Sequence, residues 1–242
     1  MRVLIYQTEK KGITVRDDPK AFIFDLDGVI TDTAEFHFLA WKQLGAELGV
    51  VIDRRFNEQL KGISRMESLE MILALNPTLS NMSYQEKEQL AAKKNLHYQR
   101  LISSITSEHI LPGIEDLLIN IKSHGIKIAL GSASKNANIV LNQLGITDAF
   151  DYVVDAAKII QGKPNPETFT NAADYLQIPY SECVGLEDAG AGIQALKAAG
   201  MFAVGIGEKD YLIGADMVVC KTAELDFDDI VNHYKRTKAY NR

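Results

Sequence analysis

The sequence predicts an α/β fold built on a parallel sheet, with a helical domain inserted after the first core strand. Three features carry this reading. A compact apolar run, Ala21 to Phe24, leads into Asp25-Leu26-Asp27-Gly28. From about Thr33 to Ile110 the apolar spacing is helical and strand signals nearly vanish, and from Leu111 onward helices and short strands alternate. Strands and helices alternating at these lengths form βαβ units, whose connections are right-handed.

Taken in order, Met1 to Lys20 holds two short apolar runs, Val3 to Tyr6 and Ile13 to Val15, around a polar Lys10-Lys11-Gly12 stretch. That pattern allows a hairpin in an N-terminal extension over residues 1–20. Ala21 to Phe24 reads as a buried parallel strand ending in a turn. The inserted segment opens on Phe36, Ala40, Leu44 and Leu48 at i+4 spacing. After Leu111-Pro112-Gly113, the stripe Ile114, Leu117, Leu118 and Ile121 marks a helix, and Ile126 to Leu130 a strand. A helix follows around Asn138 to Leu144, then the run Tyr152 to Val154, then a helix with Phe169, Ala172, Ala173 and Leu176 on one face. Cys183 to Leu186, Phe202 to Ile206 and Met217 to Val219 complete the strands, and the Gly205-Ile206-Gly207 fragment, too short for a dinucleotide fingerprint, is assigned to a loop. The expected division is a core of residues 21–32 and 111–242 and a helical domain of residues 33–110.

Composition narrows the function. The chain has 242 residues, enough for one or two domains, with 46% apolar and 24% charged residues, so it can bury a core without staples. A net charge of -6 argues against a nucleic-acid partner, which selects for a basic surface. Cys183 and Cys220 have no metal-ligand spacing and fit a reducing compartment. No membrane partner is expected, because no apolar run approaches the roughly 18 residues of a span. Without the apolar run of a secretory signal, the expected location is cytoplasmic, and a monomer is expected.

The chemistry concentrates at four strand ends. Residues i and i+2 of a strand face one way, so Asp25 and Asp27 can share a site beyond the first strand. Ligands of open α/β sheets gather at those carboxyl ends. Close carboxylates repel unless a cation or a shared proton offsets them, and oxygen-only ligands favour Mg2+. Gly131-Ser132-Ala133-Ser134-Lys135-Asn136 offers hydroxyls, backbone N–H groups and a helix N-terminus to phosphate oxygens. Lys163, in Gly162-Lys163-Pro164, stands just before a helix with an early proline. Glu187 and Asp188 follow the strand Cys183 to Leu186, and as metal ligands they would join Asp25 and the Asp27 carbonyl around one cation. Each segment taken alone also reads as a turn, a helix cap or a surface charge. Four of them at four strand ends point to phosphate chemistry.

In this order and spacing the four segments resemble the signature of the haloacid dehalogenase superfamily, over approximately residues 20 to 220. The resemblance implies a Rossmann-like core with a helical cap formed by the insertion. Within the superfamily, Asp25 to His37, Leu60 to Arg65 and Lys93-Lys94-Asn95 are similar to the β-phosphoglucomutase family. By that resemblance Asp25 is phosphorylated and Asp27 is the general acid/base, while Thr33 and His37 couple cap position to the catalytic state. Ser132 and Lys163 then hold the transferring phosphoryl group. Gly62, Ile63, Arg65 and Lys94 of the cap, with Ser134, Lys135 and Asn136 of the core, contact the sugar and its distal phosphate. Arg65 suits that phosphate because a guanidinium binds an oxyanion through two N–H groups. Trp41 and Ser68 also match family cap positions, and Trp41 is read as core packing. The implied substrate is a phosphosugar, the implied metal one Mg2+, and the implied activator β-glucose 1,6-bisphosphate. Two other readings stand beside this one: a sugar-phosphate phosphatase with the same nucleophile, and a non-catalytic phosphosugar-binding protein. The family pattern commonly has a Ser where Ala189 stands, and it has no counterpart of residues 1–20.

Overall fold

The protein is described here by a computed structural model covering residues 18–79 and 81–240. The hairpin expected within residues 1–20 falls almost wholly outside the described residues.

Six strands, β1 (Ala21–Phe24), β2 (Lys127–Leu130), β3 (Tyr152–Val153), β4 (Cys183–Glu187), β5 (Phe202–Ile206) and β6 (Met217–Val219), form one sheet in the order β3-β2-β1-β4-β5-β6. Every pairing is parallel, as expected of βαβ units. β1 sits at the centre, so the chain grows outward on one side of it and then crosses to the other. The crevice beyond the carboxyl end of such a switch point is where ligands bind.

Strand alternation divides the core into two faces. Phe22 and Phe24 point to one, with Ile128, Leu130, Val184, Leu186 and Val204, under α5 (Ile114–Ser123), α6 (Ala137–Leu144) and α9 (Phe227–Tyr240). Ala21 and Ile23 point to the other, with Ala129, Cys183 and Ala203, under α7 (Glu167–Leu176) and α8 (Gly190–Ala198). Small residues on that second face let α8 approach closely: a Cβ on Gly185 would lie 2.0 Å from Leu196. Gly205 and Ile206 belong to β5, as the expected strand Phe202 to Ile206 has them and contrary to their assignment to a loop; of that fragment only Gly207 turns, at φ +131°. Strand pairing to β6 decides this, since Gly205 stands opposite Val218 and Ile206 opposite Val219.

Between β1 and α5 lie α1 (Thr33–Glu47), α2 (Arg54–Glu58), α3 (Arg65–Ala74) and α4 (Tyr84–Ile102). They gather their own cluster from Phe38, Trp41, Leu44, Ile52, Leu60, Leu69, Ile72 and Leu73. α1 serves two masters: Phe36 and Ala40 of the expected stripe pack toward the sheet cluster, while Trp41 and Leu44 turn into the helical one. Ser64 with Glu67, and Ser83 with Glu86, form capping boxes that start α3 and α4. The two chain crossings run side by side, Thr31 bridging Ile110 antiparallel, with Leu111 donating to the Ile30 carbonyl at 2.9 Å and the Thr31 hydroxyl to that of His109 at 2.7 Å.

Candidate active site

Strand register builds the site. Phe24 is level with Leu130 on one side and Leu186 on the other. The Asp25 N–H therefore reaches the Leu186 carbonyl at 2.9 Å and the Gly131 N–H that of Phe24 at 2.8 Å. Whatever follows those strands, Asp25, Ser132 and Glu187-Asp188, must converge.

At the centre lies Lys163, 0% exposed. Its ammonium donates to Asp25 Oδ1 at 2.7 Å and to Glu187 Oε2 at 2.8 Å, and sits 4.7 Å from the centre of the Phe169 ring. Burial works against that charge, but Asp25 and Glu187 outweigh it and raise the ammonium's pKa. Lys163 lies just ahead of α7, which starts at Glu167, as expected, but not at a strand end, since β3 closes at Val153.

Around it the carboxylates are short of positive charge. Asp25, Glu187 and Asp188 offer oxygens that lie within 4.8 Å of one another. Burial first, and then the Asp25 charge, push Glu187 up to about 8 against the pull of Lys163. Burial lifts Asp188 to about 7, opposed by Lys61, whose ammonium is 3.4 Å from Asp188 Oδ2. Such a buried, oxygen-only, under-compensated set fits a hard divalent cation such as Mg2+. Gly28 makes room for the Asp188 carboxylate: a Cβ there, at φ +79°, would stand 2.3 Å from Asp188 Oδ2.

Asp27 is held apart from this cluster. The Thr33 hydroxyl donates to Asp27 Oδ1. Burial, then the Asp25 charge, raise Asp27 to about 6, with Thr33, Lys94 and Lys163 opposing. Two carboxylates on one strand end thus acquire different partners, as separate roles require. His37 Nε2 lies 3.7 Å from Asp27, too far for a hydrogen bond. Burial, with Lys94 and Arg65, keeps that imidazole neutral, so the contact is not an ion pair. Its Nδ1 accepts from the Lys94 ammonium at 2.6 Å, which places the ring proton on Nε2. Lys94 is itself wedged 4.5 Å from the Trp41 ring centre and 5.1 Å from that of Tyr98. Burial and the Arg65 charge lower it to about 7. Trp41 therefore packs the core, as read from sequence, and also carries the ammonium. Ser68 spends its hydroxyl on the Ser64 carbonyl at 3.0 Å.

A cleft of about 610 Å³ opens between the helical segment and the sheet, within the range of small-molecule sites, roughly 300–1,000 Å³. Gly62, Ile63, Arg65, Lys94 and His37 line one wall and Ser132, Ser134 and Lys135 the other. Ser132 Oγ accepts from the Ser134 N–H at 3.0 Å and Ser134 Oγ from the Asn136 N–H at 3.3 Å, shaping the loop. Asn136 is not on the wall; its carboxamide donates to Asn95 at 2.9 Å and accepts from Gln99 at 3.1 Å, tying the loop to α4. Gly62 lies over the charged centre, where a Cβ would be 3.2 Å from that of Ala189 and 3.8 Å from Lys163 Cδ. Among the described residues no helix is long and apolar enough to cross a membrane.

Sequence reasoning passed over three contributors. Lys61 and Gln99 look like ordinary solvated side chains. Tyr98, at i+4 from Lys94 and under His37 with ring centres 3.9 Å apart, reads as helix core.

A family model described as haloacid dehalogenase-like hydrolase matches residues 19–200. The β-phosphoglucomutase of Bacillus subtilis is 49% identical over 209 residues, 86% of this chain and 92% of that protein. The fructose-1-phosphate phosphatase of Escherichia coli is 33% identical over 188 residues, 76% of this chain and 94% of that protein. Among solved structures, a β-phosphoglucomutase from Clostridium difficile superposes with a TM-score of 0.89 at 51% identity, covering 91% of this chain and 99% of that one.

Proposed function

The chain belongs to the haloacid dehalogenase-like hydrolase family, and from that premise we propose that it is a β-phosphoglucomutase, an isomerase that interconverts β-glucose 1-phosphate and glucose 6-phosphate. The observation that carries a mutase over a phosphatase is the cleft, which sets cationic groups of the helical segment, Arg65 and Lys94, opposite the Ser132 loop of the core. A substrate with a phosphate at each end is matched by such a site. The sugar itself comes from the likeness to the Bacillus subtilis enzyme.

In the proposed cycle Asp25 carries a phosphoryl group and gives it to the 6-hydroxyl of β-glucose 1-phosphate, while Asp27 takes the hydroxyl proton. The resulting β-glucose 1,6-bisphosphate turns over. Asp25 then attacks the 1-phosphate, and Asp27 returns the proton to the departing sugar oxygen, leaving glucose 6-phosphate. β-Glucose 1,6-bisphosphate also serves as the activator that first phosphorylates Asp25. Lys163, already bonded to Asp25, neutralises charge on the transferring group, and Ser132 orients it. Asp25, Glu187, Asp188 and the Asp27 carbonyl would hold one Mg2+, which supplies further charge neutralisation when bound.

Residues 33–110 act as a cap in this reading, with the paired crossings at Thr31 and Ile110 as hinge. Seated as Gly62 is against Ala189, the cap keeps water from the aspartyl-phosphate and has to lift for the sugar to enter. Asp27 near 6 and its Thr33 bond suit a base that must also return a proton. The enzyme is proposed to act in the cytoplasm as a monomer, with no nucleic-acid or membrane partner. Incubation with β-glucose 1-phosphate, Mg2+ and a trace of β-glucose 1,6-bisphosphate tests this: glucose 6-phosphate with little free phosphate is expected, and dominant phosphate release would make the chain a phosphatase.

A further inference from the structure

Among the described residues four buried side-chain atoms have no hydrogen-bond partner, and two of them, His37 Nε2 and the Tyr98 hydroxyl, belong to rings that pack on each other at a 32° tilt beside Asp27. Tyr98 is 0% exposed. A buried phenol without a partner destabilises the fold relative to the phenylalanine that would fill the same space. Its place is also specific. α4 presents Lys94 and Tyr98 on one face, four residues apart, so the ring lies against both His37 and the Lys94 ammonium.

Two hydroxyls neighbour that of Tyr98. Burial and the Asp27 charge raise the phenol well above its ordinary pKa, and Thr33 and Ser134 act in the opposite direction from close by. Neither meets it at hydrogen-bonding geometry. Tyr98 thus stays an O–H donor poised between the element that holds Asp27 and the loop that lines the cleft. The Thr33 proton is already committed to Asp27, which leaves its oxygen free to accept. The Ser134 oxygen accepts from the Asn136 N–H, which leaves its proton free to donate. A chain Ser134 to Tyr98 to Thr33 to Asp27 has every O–H pointing the same way, ends on a carboxylate, and strengthens each bond through the next.

We propose that Tyr98 is a positioning residue for phosphoryl transfer: its hydroxyl bridges Ser134 and Thr33 when a phosphosugar fills the cleft, and so fixes Asp27 against the reacting sugar oxygen. Tyr98 touches neither the sugar nor the phosphoryl group; it acts through Thr33. This inference rests on the mutase reading for the identity of the acceptor, but not for the arrangement of the hydroxyls.

The test compares Tyr98→Phe with the parent by thermal unfolding, by kcat and KM for glucose 6-phosphate formation, and by phosphate released per turnover. Because the variant loses only an unpartnered oxygen, its unfolding temperature is expected to equal or exceed that of the parent. Its kcat is expected to fall about 10- to 100-fold, the scale on which a misplaced catalytic group acts, with KM little changed and a larger share of phosphate lost to water. Tyr98→Leu, which also removes the ring under His37, should lose stability. A Tyr98→Phe variant that unfolds at lower temperature with unchanged kcat would overturn the proposal and make the hydroxyl structural. So would a variant matching the parent in kcat and KM. If the parent itself forms no glucose 6-phosphate, the mutase reading fails, and the same comparison is made on phosphate release, where an unchanged kcat again refutes the role of Tyr98.

Discussion

Replacing Lys163 with Met probes the charged centre most severely, since it keeps an unbranched apolar stem as far as Cε, with sulfur in place of Cδ, and removes the ammonium. Lys163 is fully buried and bonded to two buried carboxylates, Asp25 at 2.7 Å and Glu187 at 2.8 Å. Removing one partner of a buried ion pair costs roughly 3–5 kcal/mol, because the other partner keeps its desolvation cost. For a chain of this size about 1 kcal/mol moves the unfolding temperature by about 2–4 °C, so the variant should unfold about 6–20 °C below the parent. The sign of the pH dependence follows from Glu187. Its folded pKa is already raised from 4.5 to about 8. Between those values the folded state holds a proton that the unfolded state has released, so stability falls as pH rises through that window. Without Lys163 the rise is larger, and the deficit of the variant deepens toward and beyond pH 8. Mg2+ held by this carboxylate set, as proposed, binds the folded state alone, and with the ammonium gone it meets a more negative cluster, so it should stabilise the variant more than the parent. Thermal unfolding of both proteins, below and above about pH 8, with and without Mg2+, gives all three comparisons. A Lys163→Met protein that unfolds with the parent and gains no more from Mg2+ would refute the argument.

Three further outcomes are expected. Asp27→Asn should slow both half-reactions, phosphorylation of Asp25 by the bisphosphate included, so that kcat for glucose 6-phosphate formation falls about 10²- to 10⁴-fold, the usual contribution of a general acid/base. Arg65→Ala should lower kcat/KM for β-glucose 1-phosphate by about 10- to 100-fold, consistent with a lost charged hydrogen bond of about 1.5–3 kcal/mol, and should leave the hydrolysis of a small phosphate ester lacking a second anionic end nearly untouched. Mg2+ affinity, measured calorimetrically, should weaken as pH falls through about 8 and then about 7, because the metal must displace protons from Glu187 and Asp188; a flat profile would remove them from the ligand set.

Much of the core was readable from local pattern. Ala21 to Phe24 became the central strand because an apolar run too short for a helix and closed by Asp and Gly has few other uses, and the helices over 114–121, 138–144 and 169–176 lie where their stripes placed them. α9 is the exception. Phe227, Ile230, Val231 and Tyr234 repeat at i, i+3, i+4 and i+7 and are all buried, a legible stripe that the reading passed over after the last strand. Gly205 stood in two readings, the strand Phe202 to Ile206 and a loop, and pairing with β6 decides for the strand. The acidic and Ser members of the candidate site were legible because strand ends impose position on them, whereas Lys163 reaches it from the bend ahead of α7 and not from a strand end. Tyr98, Lys61 and Gln99 were not legible, because their roles depend on how the helical segment seats against the core, which no local spacing encodes. The contact of Asn136 with Asn95 and Gln99 is of that kind too.

The central claim is that a phosphoryl group rests on Asp25 and passes to a sugar rather than to water. It is tested most directly by loading the protein with β-glucose 1,6-bisphosphate labelled in its phosphates, locating the label by peptide mass, and chasing with unlabelled β-glucose 1-phosphate. The account predicts label on Asp25 that leaves as hexose bisphosphate and then glucose 6-phosphate, and no label in Asp25→Asn. Label on another residue, or label chased mainly into inorganic phosphate, would contradict it.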